Sequence, residues 1–249
     1  MISLRGVSKL YGTHLALHPI DLEIPCGQIF AFLGPNGAGK TTTIKLMVGL
    51  LRPSTGEIRL GDIDSVHSTE RANRLIGYVP DEPYLYDKLT GREFLEFVAR
   101  MHGLDADQTL ASINRQIEQF ELRDFVDHLC ETYSHGMKQR VVFAAAMVHD
   151  PPILIVDEPM VGLDPRSVRL VKDLLRRRAR AGTTVFMSTH TLSVAEEIAD
   201  AVGIIDHGRL LFLGPVAELH SRLRQQFGDR QVTLEDLFLA MTSPSAEWP

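Results

Sequence analysis

Residues 1–26 alternate apolar and polar side chains in two runs separated by Tyr11-Gly12-Thr13. That period of two predicts an antiparallel sheet with one solvated face. Residues 28–33 break the alternation with a continuous apolar stretch, which predicts a buried strand, and residues 42–48 open a helix. A turn at 52–56 leads to a short strand at 57–61, and a further buried strand at 76–80 is stopped by Pro80. From Thr90 the period becomes helical. Phe94, Leu95, Val98 and Met101 form one stripe, and Leu110, Ile113, Ile117 and Phe120 form a second. Residues 124–129 continue the helical composition, so about 88–148 reads as a helical lobe inserted into an α/β domain.

The period then returns to strands and helices in turn. Residues 152–156 carry four branched apolar side chains in a row, the mark of a parallel strand covered on both faces. A helix follows over 166–180, with Val168, Val171, Leu174 and Leu175 inward and the arginines at 176, 177, 178 and 180 on a solvated face. A strand at 183–187 and a hairpin across His207-Gly208 come next. Helices are expected over 216–227 and 234–241, and 243–249 as a frayed tail.

Composition narrows the function. The chain has 249 residues, 44% apolar and 23% charged, with a net charge of −6. That balance fits a globular protein and argues against a general nucleic-acid binder. Cys26 and Cys130 stand far apart in no metal-like spacing and are expected as reduced packing groups. No signal peptide is expected. The longest apolar run, 141–148, falls well short of the roughly 18 residues that would suggest a membrane span.

Chemistry concentrates at 34–42, where Gly34-Pro35-Asn36-Gly37-Ala38-Gly39-Lys40-Thr41-Thr42 fits Gly-x-x-x-x-Gly-Lys-Thr between strand and helix. Glycines let backbone N–H groups approach a phosphate, and the helix dipole adds positive charge there. Lys40 can reach the β- and γ-phosphates and the Thr41 hydroxyl can ligate Mg²⁺. The apolar strand at 152–156 ends in Asp157 and Glu158. Asp157 suits Mg²⁺, and Glu158 suits a general base that orients the attacking water. His190 closes the strand at 183–187, where an imidazole can donate to a γ-phosphate oxygen. Tyr11 reads from its own context as a packed strand tyrosine, although an aromatic there can also stack on a purine.

Together these motifs resemble the ATP-binding cassette (ABC) ATPases over about residues 2–241. Residues 34–42 resemble Walker A, and 153–158 resemble Walker B with its glutamate. Tyr133-Ser134-His135-Gly136-Met137 stands at the signature, Gly162-Leu163-Asp164-Pro165 resembles the D-loop, and His190 resembles the switch histidine. The resemblance implies an α/β P-loop fold of a single cassette, with an antiparallel β subdomain, a RecA-like core and an inserted α-helical subdomain. It turns Tyr11 into an adenine-stacking aromatic. It also implies two chains, identical or related, sandwiching two ATP molecules. Each ATP would then touch one chain's P-loop and Ser134, His135, Gly136 and Met137 of the other, with Asp164 supporting the neighbouring site.

This chain departs from the family at His135 and Met137, where Gly and Gln are usual, and at Asp81, where the Q-loop carries Gln. Asp81 keeps an oxygen ligand beside the metal. Residues 81–86, residues 90–95 and residues 234–239 resemble the subgroup serving ABC-2-type permeases, often exporters. A separate membrane permease would dock near Asp81 and residues 83–86, with Leu85 and Tyr86 as apolar contacts, placing the chain peripherally at the cytoplasmic face. A soluble translation- or DNA-associated ABC ATPase is the alternative, but no second cassette, charged linker or sustained heptad repeat is visible. A P-loop kinase is a third class, disfavoured by the signature.

Overall fold

The computed structural model describes residues 1–219 and 221. Two sheets organise it. β1 (Ile2–Tyr11) and β2 (His14–Ile24) pair antiparallel across the Gly12-Thr13 turn. β3 (Ile29–Leu33) leads into the phosphate loop and α1 (Lys40–Met47), which begins two residues before its expected start. β4 (Thr55–Leu60) and β5 (Ile63–Asp64) complete a four-stranded sheet in the order β2-β1-β4-β5. After α2 (Thr69–Asn73), β6 (Ile76–Val79) joins the second sheet.

The inserted lobe consists of α3 (Gly91–Met101), α4 (Ala106–Gln119) and α5 (His135–Met147). Both α3 and α4 open on capping boxes, Thr90 with Glu93 and Asp105 with Gln108, which satisfy N–H groups that the helices leave unpaired. β7 (Ile153–Asp157), α6 (Pro165–Arg180), β8 (Thr184–Thr189), α7 (Leu192–Ile198), β9 (Ala201–Asp206) and β10 (Arg209–Pro215) finish the core. The second sheet runs β10-β9-β3-β8-β7-β6, parallel except for edge strand β10.

The interior strands bury both faces, as their apolar runs require. One face of β3, β7 and β8 (Ala31, Leu33, Leu154, Val156, Val185 and Met187) packs on the helices. The other face, with Phe30, Phe32, Ile155 and Phe186, packs with α1 and the antiparallel sheet. Carboxyl ends of the parallel strands therefore open on one edge, where open α/β sheets hold ligands.

Several expectations are corrected. Residues 124–129 form turns rather than helix, because their backbone groups are engaged elsewhere. The carbonyls of Phe125 and His128 accept from the Tyr133 hydroxyl at 2.8 and 3.1 Å, and that of Val126 accepts from Arg92 N. Met101 and Leu110 lie outside the core, at 71% and 61% exposure. The α6 arginines are not all solvated. Arg176 pairs with Glu197 on α7 at 3.0 Å, and Arg178 with Asp150 at 2.6 Å, so two of the four pin the helix to its neighbours. A helix begins at residue 216 as expected. The helix at 234–241 and the tail at 243–249 lie outside the described residues.

Candidate functional site

The loop after β3 is built by geometry that only glycine allows at key points. Gly37 and Gly39 sit at φ +82° and +111°, in the left-handed region. Gly34 faces a different constraint, since a Cβ there would stand 2.4 Å from the Ile205 carbonyl oxygen. The loop wraps the start of α1, leaving first-turn N–H groups aimed at a cavity of about 270 Å³. Asn36, Gly37, Gly39, Lys40, Thr41, Thr42, Asp81 and Glu158 line it. Pro35 and Ala38 close the loop behind it, Ala38 N donating to Pro35 O at 3.2 Å.

Lys40 is buried and fully engaged. Its Nζ donates to the carbonyls of Gly34 and Pro35 at 2.7 and 3.2 Å and pairs with Glu158 Oε1 at 3.4 Å. Glu158, just past β7, adopts φ +47°, which is rare outside glycine and turns its side chain toward the loop. Its backbone N–H bonds Ser188 on β8, and its Oε2 lies 3.0 Å from His190 Nδ1. Lys40, Glu158 and His190 thus form one chain of contacts beneath the cavity.

Asp157 is almost fully buried and takes a hydrogen bond from the Ser188 hydroxyl. Burial, then the charges of Asp157 and Glu158, hold the Asp81 carboxyl above its usual range. Burial also raises the Tyr78 phenol to about 12, helped by Asp157 and Asp81. Three carboxylates therefore crowd one side of the site, where negative charge is costly and a cation would relieve it.

The remaining candidates lie apart from this cavity. Tyr11 does not line it; the residue is 44% exposed, with Lys9 Nζ 5.2 Å from its ring centroid. Ser134 is the N-cap of α5, its Oγ accepting from Met137 N at 3.3 Å, and His135, Gly136 and Met137 form the first turn. Asp164 caps α6, accepting from Arg166 N and Ser167 N. Sequence reasoning missed four lining residues, His14, Leu15, Ala16 and His207. No motif marks them. They arrive because Gly208 N donates to Ala38 O and His18 N donates to Gly208 O, which straps the β9–β10 turn across the phosphate loop.

A family profile described as "ABC transporter" matches residues 17–161. This chain belongs to the ABC transporter family. It is an ATP-binding, ATP-hydrolysing cassette of that family. It is 38% identical over 222 residues to the daunorubicin/doxorubicin resistance ATP-binding protein DrrA of Streptomyces peucetius, covering 89% of this chain and 67% of that one. It superimposes with TM-score 0.88 on a structure titled as the ATP-binding subunit of an ABC transporter, at 30% identity, with 97% and 99% of the two chains covered. It is also similar to the cassette MJ0796, solved as a post-hydrolysis dimer bound to ADP and Pi, at TM-score 0.80 and 25% identity, covering 87% and 99%. The alternative of a translation- or DNA-associated ATPase finds no support in these relatives.

No helix among the described residues is long and apolar enough to cross a membrane. Between β6 and the helical lobe runs an apolar groove of about 340 Å³, with Val48, Leu50, Pro80, Tyr84, Phe94 and Val98 among its walls. Of the expected apolar contact pair, Tyr86 is exposed at 46% but Leu85 is turned into the core at 4% and presents no surface; the neighbouring Tyr84 is exposed at 72%.

Proposed function

We propose that two copies of this cassette, or one copy and a related cassette, close on two ATP molecules and drive a separate membrane permease. The observation that carries the reading is the Lys40–Glu158–His190 cluster beneath the phosphate loop. In that reading Lys40, Thr41, Thr42 and the N–H groups of residues 34–39 hold the phosphates. Glu158 positions the attacking water and His190 donates to the γ-phosphate. Ser134, Gly136 and the flanking His135 and Met137 present a helix N-terminus to the partner's ATP, and Asp164 supports the neighbouring site. Tyr11 stacks on adenine once nucleotide enters.

The donor set fits Mg²⁺. Thr41, Asp157 and Asp81 offer only hard oxygens, and Asp81 sits among carboxylates that repel one another. When bound, Mg²⁺ would neutralise charge building on the phosphate oxygens. Asp81 keeps this metal-proximal role in place of the family's glutamine.

In this reading the groove beside Tyr84 receives an apolar cytoplasmic segment of the permease, and the chain works at the cytoplasmic face of the membrane. The resistance role in the name of the Streptomyces relative supports outward transport. No direct contact with nucleic acid is part of this reading. The test is sedimentation of purified Glu158→Gln. With ATP it should shift from one chain's mass to two, or do so only when mixed with a sister cassette, and with ADP it should not. A mass that ATP leaves unchanged in both settings refutes the reading.

A further inference from the structure

His135 stands where the family carries a glycine, and its ring has a destination. A Cβ at Gly162 would meet His135 Nε2 at 3.0 Å, Cδ2 at 3.1 Å and Cε1 at 3.8 Å, so the imidazole lies against the Gly162 α-carbon. Gly162 also holds φ +72°. Only glycine meets both conditions without strain. The first turn of α5 is thereby wedged against the loop that leads to Asp164.

A second strap joins the same two elements. Arg166, two residues beyond Asp164, bonds Glu121 Oε2 at 2.7 Å. The Glu121 carbonyl accepts from Arg140 Nη1 on α5 at 3.2 Å. Asp164 itself is fixed by Arg166 N at 2.9 Å, Ser167 N at 3.1 Å and Ser167 Oγ at 2.6 Å. The path therefore closes on itself, from His135 through Gly162, Asp164, Arg166, Glu121 and Arg140 back to α5. A closed ring of contacts lets α5 and the loop move as one body. A glycine at 135 would remove the ring wedge and leave the strap through Glu121, a solvent-exposed ion pair that is weak by itself, beside the apolar packing of Met137, Met160 and Leu163 on the common core.

We propose that His135 is a positioning residue that transmits occupancy of the signature helix to the Asp164 loop within the same chain. This rests on the reading that the signature meets the partner's ATP while Asp164 serves the neighbouring site. ATP seated on α5 then shifts the Asp164 loop through the His135 ring, so filling one site prepares the other. What carries the coupling is the ring's bulk and not its proton, so an aromatic hydrocarbon at 135 should serve.

The experiment compares the wild-type chain, His135→Gly and His135→Phe by ATPase rate against ATP concentration. Binding of a fluorescent ATP analogue to the monomer and ATP-dependent association in a Glu158→Gln background are measured alongside. For His135→Gly the Hill coefficient should fall from near 2 toward about 1, as a loss of about fivefold or more in site-to-site affinity coupling would give, and kcat should fall as well. Monomer affinity should stay put, because the ring touches no part of that chain's own phosphate loop. His135→Phe should keep the wild-type Hill coefficient. Wild-type cooperativity and kcat in His135→Gly overturn the proposal, as does an equal loss in His135→Phe. If Glu158→Gln associates in ATP neither alone nor with a sister cassette, the dimer reading fails and this proposal falls with it. If it associates normally while His135→Gly leaves cooperativity intact, only the proposal fails.

Discussion

Replacing Glu158 by glutamine should tighten ATP binding while it destroys turnover, and the ligand-free geometry sets the size of the first effect. Lys40 Nζ and Glu158 Oε1 stand 3.4 Å apart with side chains only 6% and 11% exposed. At an effective dielectric of about 20, unit charges at that separation attract by about 5 kcal/mol. Most of that is offset by the cost of holding both charges out of water. Lys40 also keeps the Gly34 and Pro35 carbonyls in the variant, so it is not left orphaned. The remainder of that ion pair, on the order of 1.5–2 kcal/mol, is what an incoming triphosphate must displace. Removing the carboxylate charge lifts that competition and the repulsion between Glu158 and the γ-phosphate. Affinity should therefore rise about 10- to 30-fold. Loss of the proposed general base should cut kcat by roughly 10²-fold or more. The binding assay is titration with a fluorescent ATP analogue in EDTA at nanomolar protein, which isolates the single chain from the dimer. His190→Ala is the control, since it leaves the Lys40–Glu158 pair in place and should not tighten binding. Unchanged or weaker affinity in Glu158→Gln refutes the idea that Lys40 rests on Glu158 before ATP arrives.

Two glycine substitutions separate loop geometry from bulk stability. Gly34→Ala puts a Cβ 2.4 Å from the Ile205 carbonyl oxygen, and Gly77→Ala puts one 2.2 Å from that of Ala146. Each should cost about 1–3 kcal/mol in denaturant melts, but only Gly34→Ala should also abolish nucleotide binding by the folded fraction; equal loss in both would show that Gly34 is merely structural. Burial in the groove, reinforced by the neighbouring His102 stacked at 3.5 Å, lowers the His149 imidazole to about 4. A base whose folded value is depressed takes up its proton more readily when unfolded. Its contribution is therefore complete above about pH 6.5 and is lost as the pH falls toward 4, by no more than about 1.4 kcal/mol per pH unit. Urea midpoints for wild type and His149→Gln at pH 7 and pH 5 check this: the variant should lose less stability on acidification, and parallel losses would assign the acid sensitivity elsewhere.

What could be read from the sequence was whatever local spacing dictates. The phosphate loop, the run ending in Asp157-Glu158 and the histidine closing β8 each pair a motif with a strand end, and strand ends of a parallel sheet meet at one edge. Capping boxes at Thr90 and Asp105 likewise mark their helices within four residues. What could not be read depends on partners distant in the chain. Residues 124–129 have helical composition, yet their carbonyls go to Tyr133 and Arg92, so tertiary contacts override propensity. Arg176 and Arg178 look like solvated charges until Glu197 and Asp150 are placed beside them. His14 and His207 enter the cavity through two backbone hydrogen bonds that carry no residue identity. His135 departs from the family pattern in a way the sequence displays, but nothing in the sequence says that its ring lies on Gly162.

The resting contacts also suggest why cleavage can reset the proposed machine. Before ATP arrives, Lys40 is already compensated by Glu158, and Glu158 by His190. In the proposed reading a triphosphate would take over Lys40 and leave Glu158 free of its cation, facing the position from which water would attack. His190, half exposed at 49% and bonded to Glu158 Oε2, can turn from the carboxylate to the γ-phosphate at the same step. Once the γ-phosphate departs, both side chains lose a partner and the original contacts become the best ones left to them. The pairs that hold the empty site together therefore compete with the closed state, and the γ-phosphate is the one group whose presence decides between them. On this argument ADP should leave Lys40 only partly claimed and Glu158 back in contact with it, which makes the diphosphate state an opening state without any further trigger.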